Sequence, residues 1–312
     1  MGRPVRFLPP ECPLVEVTCR TLQGRLLLRP SPKLNAIIRG VLARAARLYA
    51  MPVCAFVFLS NHYHLLLCPG GAPHLAAFMN YLNGNLAKEA GRVHRWRERV
   101  WGRRYTAIVV SHEEAAQVAR LRYLLEQGTK EGLVRRPQDW PGAHSVQALL
   151  DGRPMRGVWF DRTREYEARR CGQRPGKYEF AEEELLELAP IPAWDGVDDT
   201  RRRDAVQGLI RQIEREARKV RRASGKPPLG VRRILRQDPH GRPERMHRSP
   251  APRFHAQAWR VRKSLELAYY EFQLRFRQAA DDLQLGRPGV AFPAGCFPPS
   301  LPFARGRPAA AL

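Results

Sequence analysis

A chain of 312 residues with 44% hydrophobic content can bury a sizeable core, as one large domain or two ordinary ones, and is not disordered throughout. Its 54 Lys and Arg against 30 acidic residues leave a net charge of +24, a self-repelling surplus that a polyanion, most commonly nucleic acid, would neutralise. Six scattered cysteines without a CxxC pair exclude a zinc ribbon or a disulfide framework and fit a reducing, cytoplasmic compartment. No apolar stretch approaches the ~18 residues of a membrane span. Met1 to Arg6 lacks the apolar run of a signal peptide.

After a Pro-rich start, Leu14 to Thr21 is β-prone and partly alternating, so it predicts a first strand. Gln23-Gly24 signals a turn, and Arg25 to Arg29 a second short strand. Ser31-Pro32 opens a helix to about Tyr49, with Ile37, Ile38, Val41, Leu42, Ala45 and Leu48 at helical spacing. A strand follows from Val53 to Cys68, bent near Ser60-Asn61. Leu75 to Ala90 is a second amphipathic helix. Next comes a basic stretch, Arg92 to Arg104, interleaved with Trp96 and Trp101. It suits phosphates and stacked bases, or equally a solvated loop anchored by two indoles.

Tyr105 to Val110 predicts another strand, and Ser111 caps a helix that should stop at Gly128. Alternating strands and helices predict an α+β fold: an antiparallel sheet, ferredoxin-like or RRM-like, with helices on one side. This unit covers residues 1–150. Residues 151–312 read as a basic, mainly helical extension with loop-rich segments. It has an acidic patch from Glu182 to Asp199 and helices over Arg201 to Ser224 and His255 to about Leu283. The tail from Gly286 reads as irregular.

The chemistry centres on Phe56 to Cys68. In a strand, residues i and i+2 share a face, so His62 and His64 point one way and Tyr63 the other. Two imidazoles in an apolar strand suit a metal ion, or a half-wet sheet face. On the helix from Ser111, Tyr123 and Gln127 are i and i+4 and share a face. If that face covers the strand, Gln127 brings an amide oxygen and Tyr123 a phenol to the two imidazoles. That set would leave the rest of a Mg²⁺ or Mn²⁺ shell to water and phosphate oxygens. The phenol would be a nucleophile, with cations such as Arg122 or Lys130 favouring its anion. Otherwise it is a Tyr packed on a sheet with its hydroxyl bonded locally.

His62-Tyr63-His64 resembles the His-hydrophobic-His signature of the HUH endonucleases. The ordered set Ser60 to Leu67, Leu82-Asn83-Gly84, Val100 to Tyr105, Leu121 to Leu124, Gly132-Leu133-Val134 and Asp139-Trp140-Pro141 is more specific. It resembles the single-tyrosine transposases, in particular the REP-associated tyrosine transposases, over roughly residues 14 to 150. The resemblance implies a DNA transposase active in DNA recombination, cutting and rejoining single-stranded or hairpin DNA through a 5′-phosphotyrosine. It assigns the nucleophile to Tyr123 and a Mg²⁺ or Mn²⁺ site to His62, His64 and Gln127. The family commonly has Asn-Pro where Gln127-Gly128 stand here, which leaves Glu126 as the alternative ligand. Arg97, Arg99, Arg103, Arg104 and Lys130 are the expected DNA contacts. The chain would act as a monomer or homodimer, without a membrane partner. Two other readings compete: a relaxase or replication-initiator nickase, and a domesticated nucleic-acid-binding protein without turnover. No GxxxxGK[ST] phosphate loop, as a helicase partner would carry, occurs in the chain.

Overall fold

The alternation of Leu14-Val15-Glu16-Val17 builds β1 (Leu14–Arg20), sending Val15, Val17 and Cys19 to one face of a sheet and Leu14 and Glu16 to the other. The protein is seen here as a computed structural model, which describes residues 5–243 and 252–297. The expected irregular tail therefore lies largely outside the described residues.

Ser31 accepts a hydrogen bond from the Leu34 N–H and Pro32 fills the first turn, which starts α1 (Pro32–Leu48) where the sequence places it. No strand forms at Arg25 to Arg29. A 3₁₀ turn (Leu22–Gly24) and a bond from the Leu28 N–H to the Ser60 carbonyl at 2.9 Å replace it. The long strand expected from Val53 to Cys68 is two strands, β2 (Val53–Phe58) and β3 (His62–Leu67), paired antiparallel. The hairpin closes through the Leu59 N–H on the His62 carbonyl at 2.8 Å. Then follow α2 (Ala72–His94), β4 (Thr106–Val110) and α3 (Glu114–Leu125). The helix expected to run to Gln127 breaks at Glu126 and resumes as a single turn, α4 (Gln127–Lys130).

Residues after 150 pack back on this unit. After α5 (Val146–Asp151), the strand β5 (Met155–Phe160) crosses α1, followed by α6 (Arg162–Arg170) and the partner strand β6 (Ala181–Leu186). β5 and β6 were not evident in the sequence. Glu184, read from the sequence only as part of an acidic patch, is buried between Arg44 and Arg47 of α1, at 2.7 and 2.8 Å. α7 (Asp199–Ser224) lays Val206, Ile210 and Ile213 against α3 and α5. After α8 (Val231–Arg236), the short β7 (Phe254–His255) joins the main sheet, and α9 (Trp259–Gln284) follows. α9 buries Tyr269 and Phe272. Trp259, Leu267 and Leu274 of the same helix are exposed.

The main sheet has the order β2-β3-β1-β4-β7, antiparallel except for the parallel β4–β7 pair. The fold is α+β, with a mixed rather than purely antiparallel sheet. Helices cover both faces rather than one: α1 and α2 over Val15, Val17, Leu65 and Leu67, and α3 and α7 over Leu14, Val57, Leu66 and Val110. The reason is visible in the strands. β2 is apolar on both faces, and β1, β3 and β4 add Leu14, Leu66 and Val110 to the face away from α1 and α2, so each face needs a cover. Among the described residues no helix is long and apolar enough to cross a membrane.

Candidate active site

On the face of the sheet under α3, His62 and His64 from β3 and Glu16 from β1 stand among apolar side chains. The β1–β3 register sets Thr18 opposite His64 and Glu16 opposite Leu66, so Glu16 reaches His64 on the diagonal. The His64 Nδ1 and Glu16 Oε1 are 2.7 Å apart, and the other Glu16 oxygen accepts from the Arg120 guanidinium. Burial alone would raise the Glu16 carboxyl. The hydrogen bond with His64 and the guanidinium of Arg120 outweigh it and hold the group below the usual carboxylate range.

The two imidazoles lie 5.2 Å apart between ring centroids. His62 Nδ1 contacts Asn61 Oδ1 at 2.7 Å, so the Nδ1 of each ring is fixed by a neighbouring oxygen. Burial, the nearby His64 and the charge of Arg20 push His62 well below its ordinary range and keep it neutral, with a lone pair to offer. Outer partners on Nδ1 that leave Nε2 free are what metal-binding histidines commonly have. The residues present therefore fit a divalent ion. No group of three His, Cys, Asp or Glu suited to a metal occurs among the described residues, so a third protein ligand here would be a neutral oxygen.

Arg120, Tyr123 and Gln127 fall on one face of the helical run, three and four residues apart. The Tyr123 ring meets His64 edge-on at 5.6 Å, with the Arg120 guanidinium 4.1 Å and the Lys130 ammonium 4.5 Å from its centroid. Its hydroxyl makes no hydrogen bond among the described residues. Arg122, named from the sequence as a cation for the phenol, turns away and pairs with Glu126 at 3.2 Å and with Glu216 of α7. Adjacent helix positions do not share a face, so the nearby guanidinium comes from Arg120, three residues before the Tyr.

Gln127 is buried below Tyr123, its Nε2 donating to the Tyr123 carbonyl at 2.9 Å, which leaves the amide oxygen as its free end. Neither imidazole is among its hydrogen-bond partners. The carboxylate of Glu126, the alternative ligand, is shared between Arg122 at 3.2 Å and Lys130 at 3.5 Å.

The basic loop lies at the His62 end of the strand pair. Arg20 is opposite His62, and the Arg20 carbonyl and Leu22 N–H bond to Gly102 and Val100 at 3.0 and 2.7 Å. Arg97, Arg99, Arg103 and Arg104 are exposed on it. The two indoles are anchors. Trp101 donates to the Asn83 carbonyl at 2.9 Å and meets Tyr63 edge-on, and Trp96 lies between Arg25 and His240. Tyr63 points to the opposite core and donates to Asn83 Oδ1 at 2.6 Å. Sequence reasoning missed Glu16 and Arg120. The signal for Glu16 was a lone carboxylate inside an apolar strand, but its partner depends on a register that the sequence does not print.

The solved structures that resemble this chain include proteins of one class, the transposases. One is a REP-associated tyrosine transposase bound to a REP hairpin, 16% identical, with a TM-score of 0.40, over 48% of this chain and 86% of that one. Another is a protein of Deinococcus radiodurans R1 described as a candidate transposase, 17% identical, with a TM-score of 0.28, over 39% of this chain and 92% of that one. No family model and no curated protein matches the chain.

Proposed function

We propose that this chain is a single-tyrosine DNA transposase that cuts and rejoins single-stranded or hairpin DNA, with Tyr123 as nucleophile. The observation that carries the reading is the pairing of Tyr123 with His64 at 5.6 Å, the Tyr hydroxyl uncommitted and both imidazoles held through Nδ1. His62 and His64, with the amide oxygen of Gln127, would hold Mg²⁺ or Mn²⁺, which supplies Lewis-acid polarisation of a phosphodiester. The Tyr123 oxygen attacks phosphorus, the P–O3′ bond breaks, and a 5′-phosphotyrosine and a free 3′-hydroxyl result. The phenol gives up its proton to solvent and the departing 3′-oxygen takes one up. The reverse step, attack by a 3′-hydroxyl on the phosphotyrosine, rejoins strands.

Arg120 and Lys130 place positive charge beside the ring that must carry an anionic oxygen. Nucleophile and imidazole pair come from one chain, which supports a site complete in a monomer. The test is a covalent adduct. Incubated with Mn²⁺ and 3′-labelled single-stranded DNA, the protein should acquire label that survives denaturation. Tyr123→Phe should lose this by ~10³-fold or more while still binding DNA. An adduct that persists in the variant removes Tyr123 from the role. Tight binding without any adduct in the native protein would favour a DNA-binding protein without turnover.

A further inference from the structure

A second feature of the surface is not used by the chemistry above. Between the C-terminal half of α7 and residues 135–139 lies an open cleft of about 840 Å³. Arg135, Arg136, Arg218, Arg221, Arg222 and Lys226 line it, against two acidic side chains, Asp139 and Glu214. Asp139 is committed to Arg136 at 2.9 Å. Among the described residues the other five cations have no ion pair. The cleft is built rather than incidental. The Leu229 and Gly230 N–H groups bond to the Gly132 and Leu133 carbonyls, both at 2.9 Å, and the Arg221 side chain to the Arg135 carbonyl at 3.3 Å. These bonds hold the two walls at a fixed separation.

We propose that this cleft seats the phosphate backbone of the double-stranded part of a DNA ligand. Five unpaired cations in a concavity suit a polyanion, whose charges lie about 1.7 Å apart along a duplex axis. Among the described residues no aromatic side chain or histidine lines the cleft, so these offer no stacking surface for unpaired bases. That absence separates a paired stem, read through its backbone, from a single strand. Its position also fits. The Arg122–Glu216 pair fixes α7 against the C-terminal end of α3, the helix that carries Tyr123. The cleft's cations on α7 start at Arg218, roughly 3 Å further along the helix axis. A stem in the cleft would deliver its unpaired end toward Tyr123, which rests on the transposase reading given above.

The test uses the full chain and two DNA probes: a hairpin with a single-stranded tail, and the tail alone. Arg218, Arg221, Arg222 and Lys226 are replaced together by Gln, and in a second variant the three Arg by Lys. Binding is followed by anisotropy across a KCl series. The Gln variant should bind the hairpin ~10-fold or more weakly, with a log–log salt slope reduced by about two to four, and should bind the tail as the native protein does. The Lys variant should keep most of the slope. An unchanged hairpin slope, or equal losses on both probes, overturns the cleft. If the native protein forms no adduct with either probe and hairpin binding still depends on these cations, the cleft stands and the transposase reading falls.

Discussion

Glu16 ties the site together at the scale of one side chain. It is buried, it contacts His64 through one oxygen at 2.7 Å and it takes the Arg120 guanidinium on the other. Removing its charge therefore acts on two things. His64 exchanges a carboxylate partner for a neutral amide, a change of outer partner that at comparable sites lowers metal affinity ~10–100-fold. Arg120 becomes a buried unpaired cation, at a cost of about 3 kcal/mol. Glu16→Gln should show both, the first by Mn²⁺ titration calorimetry and the second by urea unfolding. Unchanged Mn²⁺ affinity in a folded variant would leave Glu16 a purely structural residue. The imidazole pair was legible because side-chain alternation depends only on the strand. Glu16 was not, because a diagonal contact depends on which strand pairs and in what register.

Two other histidines give a pH dependence at the same scale. Burial pushes His94 and His144 down to about 4, with the charges of Arg29 and His240 adding at His94 and that of Arg39 at His144. His144 Nδ1 accepts from the Val146 N–H at 3.3 Å, a bond that only the unprotonated nitrogen can accept. Unfolded, each titrates near 6.5. Between about pH 4 and 6.5 the unfolded chain binds more protons, so stability rises with pH there and falls on acidification. Each group contributes a slope of about 1.4 kcal/mol per pH unit in that window. Urea midpoints at pH 5 and pH 7 should therefore differ, and His144→Gln should remove its own share of that slope, about 1.4 kcal/mol per pH unit. An equal pH dependence in the variant would mean that His144 is not held neutral.

At the scale of elements, α1 and β5 meet backbone to backbone. A Cβ on Gly157 would stand 2.0 Å from the Gly40 backbone nitrogen, and one on Gly40 2.2 Å from the Val158 carbonyl carbon. Two backbones meet with no room for a methyl group. In an exposed helix interior Gly→Ala stabilises by up to ~1 kcal/mol. At Gly40 the sign should reverse, because overpacking costs about 1–3 kcal/mol or more and neither backbone can yield. Gly40→Ala and Gly157→Ala should each lower the thermal midpoint, and a rise in either would mean that β5 does not cross α1 this closely. The sequence located α1, α2 and α7 because their apolar stripes are periodic. It read β2 and β3 as one strand because the Ser60-Asn61 turn has no Gly and is held from outside, by bonds to Leu28 and Thr21 at 2.9 Å. It missed β5 and β6 because Glu182 and Glu184 of β6 find partners on α1, and Arg156 of β5 pairs with Glu183 of β6, neighbours that only the tertiary fold supplies.

Across the whole molecule, whose net charge is +24, two basic surfaces bear on the site from different directions. One is the cleft along α7. The other is the loop of Arg97, Arg99, Arg103 and Arg104, tied to β1 at the residue opposite His62. If a single strand crosses the imidazole pair, its phosphates run toward this loop, and its contribution should appear on tail binding. Replacing Arg97, Arg99 and Arg103 by Gln should reduce the salt slope for the tail probe by up to about 0.7 for each phosphate that the loop no longer neutralises. The extra affinity gained from a stem should not change. Because the loop and the cleft lie on different elements and share no side-chain partner, the two sets of substitutions should add on a tailed hairpin. A loop variant with the native slope on the tail would return these arginines to the solvated surface. The charge of the chain would then act on DNA through α7.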